Sequence, residues 1–323
     1  MQQRRLGTDD GASTGIEVGA IGLGCVGMSA EYDPGQQDDT RSLQVLARAV
    51  ELGVTLFDTA DVYGPFTNEI LVGRGLRTHR ERVVVASKCG LVVDPDSGVE
   101  RRDGRPEHIR AACEASLRRL GVDMIDLYHL HRVDPRVPFE ESWGAMAGLV
   151  DRGLVRTIGL SEIEVTADLL DVAHAIHPVS SVQTELSLWT RGPLQQVVPW
   201  CEAHGAGFLP YAPLGRGFLT GTITKAGFEA ADIRAGNPRF SPSAIERNQR
   251  IVAEVRAIGA AIDATPAQVA LAWLLARSPS IVPIPGTKRI ATLEENCAAA
   301  AVVLPAGAID RLEALPHPVG ERY

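Results

Sequence analysis

The sequence predicts an α/β protein, a (β/α)8 TIM barrel built as a single domain over residues 1–323. Three observations predict it. Eight short, β-branched apolar runs recur along the chain. Helix-period segments fall between them, so neighbouring strands run parallel with their outer face covered. No linker composition divides the 323 residues, a length that suits one large barrel.

The first run, 18–23 (VGAIGL), follows residues 4–18, which read as a hairpin over the barrel bottom. Segment 38–53 reads as a helix. Asp38 caps it, Leu43, Leu46, Ala47 and Val50 stand at i, i+3, i+4 and i+7, and Gly53 ends it. Strands follow at 54–58 and 83–87. The helix at 106–121 opens with Pro106, allowed in a first turn, and stops at Gly121. Strands at 124–130, 155–160, 179–184 and 206–211 then alternate with helices at 138–153, 164–176 and 193–205. Helices 245–262 and 265–277, the second capped by Thr265 with Pro266 at its first position, precede the last strand, 280–284. Helices at 290–300 and 306–315 close the chain. Two polar stretches rich in Gly, Pro and Arg, 93–105 and 213–244, read as long loops framing a site at the C-terminal face.

Composition removes several function classes. Net charge is −8 with no basic block, which argues against nucleic acid and anionic membrane as partners. No apolar run reaches the ~18 residues of a membrane helix. The first ten residues have a basic start but no apolar region behind it, unlike a signal peptide. Cysteines 25, 89, 113, 201 and 297 are odd in number and never spaced as CxxC. Neither structural zinc nor a disulfide framework is expected, and a reducing cytoplasm fits best. No metal site is expected: His129 and His131 form one pair, with no HxxE or HExxH beside it.

Residues 22–27, GLGCVG, match G-x-G-x-x-G. A dinucleotide site of that kind needs the turn to run straight into a helix. Here Pro34-Gly35 intervenes and the next helix starts near Asp38, so the context fails. The glycines read instead as a strand end passing close to something bulky. The other nicotinamide signature, Tyr-x-x-x-Lys, does not occur.

Active sites of such barrels form at the C-terminal strand ends. The stretch LFDTADVYG puts Asp58 at the end of the second strand and Tyr63 in its loop. Lys88 ends the third strand, and His129 and His131 lie at the end of the fourth. The histidines share one strand parity; His131, ~6–7 Å nearer the mouth, is favoured. Each residue alone has a structural explanation as a cap, a rim aromatic or a core group. Together they form a proton donor. Tyrosine is a poor acid, with a free pKa of ~10. An ammonium beside it stabilises phenolate, a carboxylate holds the ammonium, and a histidine positions a carbonyl oxygen.

These residues resemble the aldo-keto reductase superfamily over essentially the whole chain, most closely its bacterial, plant and fungal branch. LFDTADVYG, SKCG (87–90) and DLYHLHRVDP (126–135) resemble its tyrosine, lysine and histidine stretches. GLSE (159–162), QTELSLW (183–189), YAPLGRGFLTG (211–221) and PIPGTKRIATLEEN (283–296) resemble its cofactor segments in order. The resemblance implies a catalytic tetrad of Asp58, Tyr63, Lys88 and His131. It implies that Ser161 and Gln183 bind the nicotinamide carboxamide, with Glu162 where many members carry asparagine. Tyr211 would stack on the nicotinamide ring, and Leu214, Arg216 and Gly217 would cover the pyrophosphate. Gly286, Thr287, Lys288 and Arg289 would surround the adenosine 2′-phosphate, Glu295 and Asn296 the adenine, and Gly24 and Cys25 the nicotinamide side. Lys288 and Arg289 at a helix start oppose the helix dipole unless an anion compensates, which favours NADPH/NADP+ over NADH. The expected substrate is a small-molecule carbonyl or alcohol, with Trp189 and Met28 as candidate pocket walls. The alternative is a regulatory subunit that binds the cofactor with little turnover.

Overall fold

The computed structural model describes residues 1–9, 15–94, 99–162 and 165–322. Residues 10–14 of the expected hairpin, 95–98 of the expected loop, residue 164 at an expected helix start, and Tyr323 lie outside the described residues.

The chain folds as a (β/α)8 barrel. Strand β1 (Gln3–Leu6) pairs antiparallel with β2 (Ile16–Gly19) to form the expected hairpin. Leu6, Ile16 and Val18 plug the barrel floor, packed with Ala86, Leu127 and Leu209. Gly207 makes room for the plug: a Cβ there would lie 2.1 Å from Leu6 Cδ2. The expected strand 18–23 is therefore two pieces. Its start belongs to the hairpin, and the barrel strand β3 is only Leu23–Gly24.

The barrel proper continues with α1 (Asp39–Glu51), β4 (Leu56–Asp58), α2 (Thr67–Leu76) and β5 (Val84–Cys89). A short antiparallel pair, β6 (Leu91–Val93) and β7 (Glu100–Arg102), is followed by α3 (Pro106–Leu120), β8 (Ile125–Leu130), α4 (Phe139–Asp151) and β9 (Val155–Ser161). Then come α5 (Ala167–Ile176), β10 (Ser181–Glu185), α6 (Val197–Ala203) and β11 (Gly207–Tyr211). Helices α7 (Pro242–Ala261), α8 (Pro266–Arg277), α9 (Ile290–Ala298) and α10 (Ala306–Glu313) complete the order. The seven-stranded sheet runs β3-β4-β5-β8-β9-β10-β11, each neighbour parallel.

The eighth strand, expected at 280–284, closes the barrel as an incomplete ladder. Val282 N and Ile284 N donate to Phe208 O and Pro210 O of β11, at 2.8 and 3.1 Å. On the other side Pro283 O and Pro285 O accept from Gly22 N and Gly24 N of the first strand, at 2.9 and 3.3 Å. Prolines have no N–H to return, so half of that ladder cannot form. The seam needs glycine. A Cβ on Gly24 would lie 2.8 Å from Ile284 O, and one on Gly22 would lie 3.0 Å from Ile284 Cγ2. Gly22 and Gly24 of GLGCVG thus serve barrel closure.

Local signals fix most helices. Asp38 caps α1 by accepting from Arg41 N, and Thr265 with Gln268 forms a reciprocal capping box on α8. Gly121, at φ 68°, ends α3. Helix α2 was not expected, because Gly73 and Gly75 weaken its pattern. Packing requires them: a Cβ on Gly73 would lie 2.2 Å from Leu120 O, and one on Gly75 2.5 Å from Leu46 Cδ1. The pair β6–β7 was also unexpected, inside a stretch read as loop. No single described helix is long and apolar enough to cross a membrane.

Candidate active site

Alternation along the strands builds the site. Leu56, Val84, Ala86, Leu127 and Leu209 belong to the interior cluster, whereas Phe57, Val85, Tyr128 and Leu130 pack outward under the helices. Two residues beyond each interior position, Asp58, Lys88, His129 and Tyr211 share that inward parity. The register sets Lys88 opposite His129 and Gly24 opposite Asp58. A polar layer therefore sits on an apolar floor.

Lys88 is fully buried and Asp58 nearly so. Lys88 Nζ donates to Asp58 Oδ1 at 2.6 Å, Asp58 Oδ2 at 2.8 Å and Thr59 O at 2.8 Å. Tyr63 OH is its fourth neighbour, at 3.3 Å. An ammonium has three protons, so the tyrosine contact is the weakest held of four. Gln183 Nε2 donates to Asp58 Oδ2 at 2.8 Å, giving the carboxylate a second partner. The His131 ring meets Tyr63 edge-on, centroids 5.9 Å apart, and its Nδ1 is buried without a partner.

The two histidines separate cleanly. His129 is buried, with Nε2 2.8 Å from Ser181 Oγ, packs against Gly159 and does not border the cavity. A Cβ at Gly159 would lie 2.7 Å from His129 Cδ2. His131 borders the cavity. Burial and then Lys88 hold both rings neutral, His129 down at about 3 and His131 well below its ordinary value.

One electrostatic expectation is not met. The phenol is not lowered toward neutrality, because burial and nearby carboxylates outweigh the ammonium. Burial, followed by the Asp58 and Glu31 carboxylates, holds Tyr63 well above the ordinary tyrosine value. Burial is the largest cause, and Asp58, which sits on the ammonium, opposes its field at the phenol. Tyr63 is thus kept protonated.

A cavity of about 820 Å3 opens above this layer at the C-terminal end of the barrel. Asp58, Tyr63 and His131 border it, and Lys88 lies just beneath. Gly24, Ser161, Glu162, Gln183 and Tyr211 line it from the strand ends. Leu214, Arg216 and Gly217 line it from the loop after β11, where Ala212, Gly215, Arg216 and Gly217 all have positive φ. Gly286, Thr287, Lys288, Arg289 and Glu295 line it from the segment leading into α9. Cys25 and Asn296 are buried beside the lining and do not border it. Lys288 is tied to the cavity wall, its Nζ donating to Tyr32 O at 2.9 Å and Asp33 O at 3.3 Å. Met28 and Trp189 are core residues instead of pocket walls. Both are almost fully buried, and Trp189 stacks on Phe218 at 4.8 Å.

Several lining residues escaped the sequence reading. Glu31, Val62, Leu91, Glu100, Arg102 and Arg132 surround the Tyr63 side. Glu31 has φ 66°, and burial pushes its carboxyl up to about 7. Arg41, in the first turn of α1, borders the cavity near Arg289 and Lys288. No periodicity marks any of these; they sit on loops or at element ends. Among the described residues no group of three or more His, Cys, Asp or Glu could hold a metal ion.

Comparison with known proteins agrees with this architecture. A sequence model of the Aldo/keto reductase family matches residues 20–316. A probable aldo-keto reductase 1 from Glycine max is 42% identical over 308 residues, covering 94% of this chain and 86% of its own. The solved glycerol dehydrogenase of Gluconobacter oxydans superposes with a TM-score of 0.86 at 26% identity, covering 99% of this chain and 98% of the other. A thermostable aldo-keto reductase solved with the inhibitor epalrestat gives a TM-score of 0.76 at 28% identity, covering 97% and 99% of the two chains.

Proposed function

Because the chain belongs to the aldo/keto reductase family, an oxidoreductase family of carbonyl and alcohol groups, we propose that it reduces aldehydes or ketones with NADPH and Tyr63 as proton donor. The reverse reaction oxidises an alcohol or sugar. The observation that carries this reading is the contact of Lys88 Nζ with both Asp58 oxygens and with Tyr63 OH at the cavity floor.

The residues fit NADPH on observations independent of the family. Asn296, buried behind the lining residue Glu295, has Nδ2 and Oδ1 both without a partner among the described residues, a donor and an acceptor that an adenine edge reaching past Glu295 would satisfy. The exposed Arg289 guanidinium has no hydrogen bond or ion pair among the described residues, and Arg41 stands nearby. Such cations suit a 2′-phosphate. Ser161 and Gln183 would hold the nicotinamide end, Tyr211 would flank its ring, and residues 214–217 would cover the pyrophosphate.

Bound there, NADPH supplies hydride to the carbonyl carbon. The protein's own residues handle the proton. Tyr63 OH, held protonated, gives its proton to the carbonyl oxygen as negative charge builds there. The phenolate left behind lies 3.3 Å from Lys88 Nζ, which turns a proton toward it. Asp58 Oδ2 keeps its Gln183 donor at 2.8 Å while that happens. Neutral His131 offers one N–H to the same carbonyl oxygen and orients it. Glu31, Glu100, Arg102 and Arg132 make the wall polar, and a structural neighbour is named for glycerol; hydroxylated carbonyls and polyols therefore belong in the substrate panel. The buried, unpaired state of all five cysteines suits a cytoplasmic setting.

The test is NADPH oxidation followed by absorbance against aldehydes, ketones and sugars. Turnover of at least one class is expected. Tyr63→Phe should abolish it and leave NADPH binding nearly intact; undiminished turnover in that variant would remove the mechanism.

A further inference from the structure

Glu162 poses a problem that the proposed function leaves open. It is 2% exposed, sits at φ 96°, and lines the cavity beside Ser161 and Gln183. Its backbone N donates to Gln183 O at 2.8 Å, which fixes it to β10. A buried carboxylate is costly unless paired. Beside a nicotinamide it would also act on charge: it would favour the cationic oxidised ring over the neutral reduced one.

The partner comes from far along the chain. The segment after α10 returns across the C-terminal face. Val319 N donates to Asn248 Oδ1 at 2.8 Å, Asn248 Nδ2 donates to Val319 O at 3.0 Å, and Asn237 Nδ2 donates to Arg322 O at 3.0 Å. These bonds deliver Arg322 into the site, its side chain 13% exposed. Arg322 Nη2 donates to Glu162 Oε1 at 2.8 Å and Nε to Glu185 Oε2 at 2.8 Å. Nη2 also donates to Tyr211 OH, which in turn donates to Glu162 Oε1. Arg132 also lies near Glu162, at 3.9 Å. Glu185 is better supplied, with Arg239 at 3.5 Å and Arg216 at 4.0 Å.

We propose that Arg322 is a positioning residue for the nicotinamide end of the site: it neutralises Glu162 and fixes the Tyr211 phenol. The assignment rests on the proposed cofactor site. It explains how a carboxylate is tolerated at position 162 without biasing the site toward the oxidised cofactor. Removing Arg322 exposes that bias; removing the Glu162 charge as well cancels it.

Fluorescence titration of the full chain with NADP+ and with NADPH tests this. Arg322→Ala should shift the ratio of the two dissociation constants about tenfold in favour of NADP+. Arg322→Lys, which keeps the charge, should retain most of the wild-type ratio. Adding Glu162→Gln to Arg322→Ala should restore the ratio. Equal weakening of both cofactors, with no rescue by Glu162→Gln, would reduce Arg322 to a structural contact and overturn the inference alone. Failure of the wild-type protein to bind either cofactor would overturn the proposed function together with it.

Discussion

Replacing Lys88 by methionine separates what the buried ion pair does for stability from what it does for chemistry. Methionine keeps the length and apolar stem of the side chain but removes three donors at 2.6, 2.8 and 2.8 Å. Asp58, 3% exposed, would retain Gln183 as its side-chain donor. Breaking a buried pair from one side costs about 3–5 kcal/mol, because the remaining charge is stranded. At roughly 2 °C per kcal/mol for a chain of this size, the unfolding midpoint should fall by about 6–10 °C. Turnover should fall by about 10³-fold, within the range for loss of general-acid assistance. The double variant Asp58→Asn/Lys88→Met should recover more than half of the lost stability and none of the activity. Thermal unfolding by circular dichroism and NADPH oxidation on the same samples read both effects. A double variant no more stable than Lys88→Met would show that Asp58 does not depend on Lys88. A Lys88→Met enzyme with ordinary turnover would refute the role of the ammonium in the reaction.

Other perturbations have equally definite outcomes. Arg289→Ala should weaken NADPH about tenfold more than NADH in fluorescence titrations, since its guanidinium is uncommitted; equal loss for both would reassign it. Gly24→Ala should lower stability by about 1–3 kcal/mol, because the new Cβ meets Ile284 O at 2.8 Å across the barrel seam; an unchanged urea midpoint would mean the seam gives way freely. Burial and Glu69 push Asp61 up to about 8, so the folded state keeps a proton that the unfolded state releases above about pH 4. Stability must then fall as pH rises through that window, by up to about 1.4 kcal/mol per pH unit. Asp61→Asn should gain on the wild type between about pH 5 and about pH 8 in urea unfolding; a difference that stays constant with pH would sink the assignment.

The polar layer was legible because it depends on strand period. Once Leu56 and Ala86 face inward, Asp58 and Lys88 must too, two residues nearer the mouth. The preference for His131 over His129 follows from distance along the strand; His129 packs against Ser181 and Gly159, whereas His131 borders the cavity. The closing strand was legible by composition but not by ladder, since Pro283 and Pro285 lack the donors a full strand would use. Helix α2 was hidden by the two glycines its packing demands. The cavity wall around Tyr63, and the Arg322 contact behind Glu162, were not legible. Glu31 is held by Ile233 N at 2.8 Å, and Arg322 reaches Glu162 from 160 positions away. Contacts of that range leave no periodic trace.

The protonated state of Tyr63 changes how the acid should be understood. A phenol lowered toward neutrality would lose its proton before any carbonyl arrived. In this site burial, with Asp58 and Glu31, keeps the phenol protonated, and a neutral phenol gains little from the ammonium 3.3 Å away. On the proposed mechanism the ammonium matters only as the proton leaves. Negative charge then appears 3.3 Å from an Nζ that already has one more oxygen neighbour than it has protons. Lys88 can shift toward the phenolate because Gln183 still satisfies Asp58 Oδ2. The stabilisation is therefore larger in the transition state than before it, which is the condition for lowering a barrier.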